Sequence, residues 1–96
     1  VIVCGNDLMA IGCLDTARHD FNIDVPGRLS VTGFDGIAAS SWISYNLTTM
    51  RQPLIGMAQA AAEMLVGLVS GTASANEHRS YSAAFDDGAT ARLGPA

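Results

Sequence analysis

VIVCGNDLMAIGCL (residues 1–14), VPGRLSVTGFDG (25–36) and LTTMRQPLIGMAQAAAEML (47–65) follow one another along this chain. Each carries an apolar run of strand character that ends in short polar residues. In the first, Val1–Cys4 reads as a strand, Gly5-Asn6 as a turn, and a helix follows from about Asp7 to His19, with Leu8, Ile11, Leu14 and Arg18 repeating at helical spacing. In the second, Val25-Pro26-Gly27 is a turn and Leu29–Phe34 a strand. Strand and helix therefore alternate, which predicts an α/β fold with a parallel sheet and flanking helices.

After Asp35-Gly36 the sequence predicts a short helical piece, Ile37–Trp42, and a third strand over Leu47–Met50. Pro53 suits the first position of the longest helix. Leu54, Met57, Ala58, Ala61, Met64, Leu65 and Leu68 repeat on one face of it, and Gly71 supplies its stop. Residues 72–80 read as a surface loop, and 81–93 as one or two short strands broken at Asp86-Asp87-Gly88. The opening residues read as a strand already under way, so the chain is expected to be a fragment.

Five arginines, no lysine and nine carboxylates leave a net charge of −4. The arginines are scattered, so this segment is not expected to grip nucleic acid itself. Cys4 and Cys13 lie among apolar neighbours outside any spaced metal or redox motif, which favours reduced thiols and a cytoplasmic setting.

Asn6 and Asp35 each follow an apolar strand, so a parallel sheet projects both from one edge, where open α/β folds bind ligands. An ionised Asp accepts from two hydroxyls and an Asn amide both donates and accepts, a combination suited to a polyhydroxylated ligand. Helix capping by Asn6 and an Asx turn at Asp35 are the competing readings. Asp7 reads as a helix cap rather than a ligand contact. Arg51-Gln52 either reaches the same crevice or serves the surface or a hinge. His19 and His78 have no partner at metal-ligand spacing, and there is no nucleophile elbow and no phosphate-binding loop. The chain is thus expected to have no catalytic residue, no metal and no cofactor, and not to be an enzyme.

The three segments together resemble the ligand-binding domain of the LacI/GalR family of bacterial transcriptional regulators. The family's A-N-D-x-x-A-x-G-A-L, V-P-x-D-(V/I)-S-(V/I)-x-G-(F/Y)-D and L-T-T-(V/I)-x-Q-P read here as GNDLMAIGCL over Gly5–Leu14, VPGRLSVTGFD over Val25–Asp35 and LTTMRQP over Leu47–Pro53. The resemblance covers roughly residues 1–70. Beyond it, Ala84–Thr90 departs from the usual L-V-x-R-x-S-T by placing an acid where the family has Arg, and Tyr45-Asn46 replaces a proline pair.

The resemblance implies part of a type I periplasmic-binding-protein-like domain. Residues 1–52 would belong to the carboxyl-terminal lobe, 53–71 would form a crossover helix belonging to the amino-terminal lobe, and 72–96 would be a loop and return strands. It also implies that Asn6, Asp35 and Leu54 line a site for a sugar or nucleoside-like effector. Ile11, Ala39, Trp42 and Ile43 would form a homodimer interface, and DNA contact would lie in an amino-terminal part absent from this sequence. A solute-binding protein of a sugar transport system is the alternative.

Overall fold

The structure, a computed structural model, describes residues 1–94. In chain order it contains β1 (Ile2–Val3), α1 (Asp7–Asp15), β2 (Val31–Thr32), β3 (Thr49–Arg51), α2 (Leu54–Ser70) and β4 (Ala84–Asp86). The chain divides into two compact units: one holds Val1–Arg51 together with the stretch from Ala84 onward, and the other holds Gln52–Ala83.

In the first unit β1 and β2 run parallel with Ile2 opposite Val31 and Val3 opposite Thr32. Parallel bridges at Thr32–Thr48 and Asp35–Arg51 join β2 to β3, and β4 closes the far side antiparallel, with Met50 opposite Phe85. The regular strands are shorter than the sequence predicts, yet the pairing continues past them, since Gly33 N–H donates to the Thr48 carbonyl at 3.1 Å.

The helix α1 packs Ala10 and Leu14 onto this sheet, and Ala17, one turn beyond, joins Val25, Val31 and Leu47 in the same buried cluster. These residues are spaced i, i+4, i+7, the repeat of a helix with one apolar face. Leu8, expected on that face, is instead 71% exposed. Small alanines face the sheet because they let the helix lie close to it.

The predicted helix to His19 ends its regular α turns at Asp15 and continues as a wider π turn over Thr16–Asp20, where Phe21 N–H donates to the Thr16 carbonyl at 3.3 Å. Arg18 then ties this end of the helix to the later loop by donating to the Ser44 carbonyl at 2.9 Å. The piece predicted over Ile37–Trp42 is a 3₁₀ turn at Ala38–Ser41.

Thr90 fastens the lower end of the sheet. Its hydroxyl donates to the Val31 carbonyl at 2.7 Å and accepts from Thr48 N–H at 2.9 Å, and its own carbonyl accepts from Val31 N–H at 2.8 Å. The side chain is fully buried. A single strand, β4, forms in the region where one or two were expected.

The second unit is α2 and the segment returning along it. Pro53 caps α2 rather than opening it, and Gly71 ends it with φ 75°, a left-handed conformation in which a side chain is strained. Arg79 donates to Glu63 at 2.8 Å and to Glu77 at 3.1 Å, pinning the returning chain to the helix. Of the residues in α2, Ala60 is buried, while Leu65, Val66 and Val69 are exposed. No helix among the described residues is long and apolar enough to cross a membrane.

Candidate ligand site at the strand ends

Three strand ends come into step at one edge of the first unit. Asp7 N–H donates to the Phe34 carbonyl at 3.1 Å and Asp35 N–H to the Met50 carbonyl at 2.8 Å. Asn6, Asp35 and Arg51 therefore follow one another across the carboxyl ends of β1, β2 and β3.

Asn6 is the cap of α1: its backbone is extended and its Oδ1 accepts from Met9 N–H at 2.9 Å. Capping commits the oxygen and leaves the amide nitrogen to act as a donor. Capping and ligand contact are therefore compatible at this residue.

Asp7 corrects the sequence reading. It is not the cap but a fully buried carboxylate. Its Oδ2 accepts from Gly36 N–H at 2.8 Å, Ile37 N–H at 3.0 Å and the Ser40 hydroxyl at 2.5 Å, and its Oδ1 accepts from the Thr49 hydroxyl at 2.6 Å. Burial pushes this carboxyl up, but the hydrogen bonds from Ser40, Thr49, Ile37 and Gly36 outweigh it and hold Asp7 below its ordinary value. One carboxylate thus joins the start of α1, the turn after β2, the 3₁₀ turn and β3.

That turn carries Asp35. Its φ is 136°, in the region L side chains rarely adopt, and the next residue, Gly36, has φ 75°. A Cβ at Gly36 would stand 2.6 Å from the Cβ of Arg51, so β3 passes too close for any larger residue. The strained Asp35 backbone is held by the two amides that follow it, both bound to Asp7. Such strain is typical of sites where a side chain must be aimed.

Arg51 is engaged elsewhere: its guanidinium pairs with Asp86 Oδ1 across the β3–β4 ladder. Asp87, the acid that stands where the family has Arg, follows directly after β4. Beside the Asp35-Gly36 turn lies a cavity of about 480 Å³ lined by Gly36, Ile37, Ser41, Asn46, Arg51 and Asp86 among others. Asn6 and Asp35 are not among its lining residues.

Leu54, the third expected ligand contact, begins α2 in the other unit and is 62% exposed. Of the expected interface residues, Ile43 is fully exposed and Trp42 60% exposed, with its ring stacked on Tyr45 at 6.5 Å, while Ile11 and Ala39 are half-buried. Tyr45 donates to Asp15 of α1 at 3.2 Å, which draws the segment bearing Trp42 and Ile43 alongside the helix bearing Ile11. Among the described residues no group of three or more metal-ligating side chains comes together.

Ser40, Thr49 and Thr90 carry no local sequence pattern that marks them as hydrogen-bond partners at this distance. One signal was available: Asn6 and Asp7 cannot both cap one helix, so one of them must serve another partner.

Paired parallel strands with polar residues at their carboxyl ends form the ligand-binding edge of an open α/β domain, and residues 1–90 match the family model described as a periplasmic binding protein-like domain. The chain belongs to that family, within its LacI/GalR group of regulators. It is 42% identical over 67 residues to the HTH-type transcriptional regulator GalR of Escherichia coli strain K12, covering 70% of this chain and 19% of that protein. It is 39% identical over 71 residues to the regulator MalR of Streptomyces coelicolor, covering 74% of this chain and 20% of that one. Among solved structures, a LacI family transcriptional regulator from Arthrobacter sp. FB24 in complex with lactose superposes with a TM-score of 0.82 at 32% identity, over 95% of this chain and 34% of that one. The chain thus spans about a fifth of the length of these curated relatives.

Proposed function

We propose that this chain is the effector-sensing and dimerising part of a bacterial transcriptional regulator, responding to a sugar or nucleoside-like small molecule. In this reading residues 1–52 belong to the carboxyl-terminal lobe, 53–71 form a crossover helix of the amino-terminal lobe, and 72–96 return. The observation that carries it is the alignment of Asn6 and Asp35 at one carboxyl edge, with the Asp35 turn locked by Asp7. The similar regulator from Arthrobacter, whose structure holds lactose, supports a sugar as the class of ligand.

Asp35 would accept hydrogen bonds from two ligand hydroxyls and Asn6 would donate from its amide, with Leu54 supplying apolar contact from the second lobe. Ile11, Ala39, Trp42 and Ile43 would pair two copies, and DNA would be bound through a separate amino-terminal domain, in the cytoplasm. The ligand would act by favouring one arrangement of the lobes, to the extent that it binds that arrangement more tightly. No catalytic step is assigned.

Calorimetric titration of the full-length regulator with a panel of neutral sugars, lactose among them, tests the reading. A charge-assisted hydrogen bond contributes about 1.5–3 kcal/mol, so Asp35→Ala should weaken binding by roughly 10- to 100-fold. Unchanged affinity in Asp35→Ala would remove Asp35 from the site.

A further inference from the structure

Aspartate precedes glycine at two points of the chain, Asp35-Gly36 and Asp87-Gly88, and the fold treats the two oppositely. At the first, Gly36 N–H donates to Asp7 Oδ2 at 2.8 Å and β3 lies directly against the glycine. At the second, both residues are exposed, and among the described residues Gly88 N–H has no acceptor and the Asp87 carboxyl group no partner. What is held there is the main chain on either side. The Thr48 hydroxyl donates to the Asp87 carbonyl at 2.5 Å, and Ala89 N–H donates to the Asn46 carbonyl at 2.6 Å.

We propose that Asp87-Gly88 is a site of spontaneous aspartate isomerisation, while the same dipeptide at Asp35-Gly36 is protected by Asp7. Gly88 N loses its proton and bonds Asp87 Cγ, and a carboxyl oxygen departs as water, which closes a five-membered imide. Glycine permits this approach because it has no Cβ beside the attacking nitrogen. Water then adds at the former main-chain carbonyl of Asp87 and breaks its bond to Gly88 N, so the chain runs on through Cβ and Cγ. One water leaves and one returns, and the mass is unchanged. The Thr48 hydroxyl draws electron density from the Asp87 peptide group, which makes Gly88 N–H more acidic and polarises the carbonyl that water attacks. At Gly36 the neighbouring Asp7 carboxylate does the reverse: it opposes a negative nitrogen and fixes the amide away from Asp35 Cγ. The product lengthens the backbone where a Cβ on Gly88 would already stand 2.5 Å from Leu47 and Thr48 backbone atoms, so it loosens the return through Ala89 and Thr90.

The test ages the full-length protein in mildly acidic buffer, native and in guanidinium chloride, and maps isoaspartate by peptide mass spectrometry and by methyl transfer from S-adenosylmethionine with an isoaspartate methyltransferase. In the native protein isoaspartate should form at Asp87, and roughly 10- to 100-fold more slowly at Asp35, the factor by which breaking a charge-assisted hydrogen bond reduces the reactive population. In denaturant the two sites should react alike. Asp87→Glu keeps the charge but must close a slower six-membered imide, and should abolish the signal at this position. The comparison of native with denatured protein needs no variant. Equal rates at the two sites in the native protein, or a native Asp87 that stays intact while the denatured chain isomerises, would overturn the proposal.

Discussion

Replacing Asp7 by alanine removes the acceptor of four hydrogen bonds and leaves two backbone N–H groups, of Gly36 and Ile37, and two hydroxyls, of Ser40 and Thr49, without it. A buried polar group stripped of its partner costs about 1–3 kcal/mol. All four residues also border the cavity beside the turn, where water can reach some of the freed groups, so the sum is discounted to roughly 3–5 kcal/mol. Asp7→Asn should cost less, about 1–2 kcal/mol, because its oxygen can still serve the two amides and Ser40 while its nitrogen donates to the Thr49 hydroxyl. The folded-state value of Asp7 is depressed, so its contribution is fully present above the unfolded-state value and is lost as pH falls through the folded-state one. Urea unfolding across the acid range measures all of this. The wild type should lose stability in acid more steeply than Asp7→Asn, with an unchanged slope on denaturant for both. A loss below about 1 kcal/mol in Asp7→Ala, or parallel acid profiles for the wild type and Asp7→Asn, would refute the reasoning.

Gly33→Ala should be destabilised by roughly 1–3 kcal/mol in the same assay, since the new methyl would stand 2.9 Å from a Leu47 methyl and press on Asp7. Thr90→Val keeps the shape but removes the hydroxyl that serves Val31 and Thr48, and should cost roughly 2–3 kcal/mol, with Thr90→Ser restoring most of it. Arg51→Ala should change stability by less than about 1 kcal/mol, because its ion pair with Asp86 is solvent-exposed. Ile43→Glu should dissociate the proposed dimer in analytical ultracentrifugation without lowering the stability of the monomer, since the side chain is fully exposed.

What could be read from the sequence was what lies close together along it. The strand-to-helix alternation, the cap at Asn6 serving an amide three residues away, and the Gly71 stop are all local. The role of Asp7 is not, because its partners stand 29, 30, 33 and 42 residues further on. Those of Thr90 stand 42 and 59 residues back. A carboxylate after an Asn at a strand end looks like a cap until the turn that claims it is placed beside it. Leu8 is exposed for a related reason: helical period predicts that one face is buried, but the sheet decides which, and here it selects Ala10, Leu14 and Ala17.

Backbone strain and fold stability meet at the Asp35 turn. A backbone with φ 136° is costly for an aspartate, and Gly36 must follow because β3 leaves no room for a side chain. What keeps the pair in place is Asp7, whose buried charge is stabilised by the very amides it holds. Each therefore requires the other: without the turn the carboxylate would be a buried charge short of donors, and without the carboxylate the turn would relax to an ordinary backbone. The strained turn and the buried carboxylate are in this sense one device, each held in place by the other.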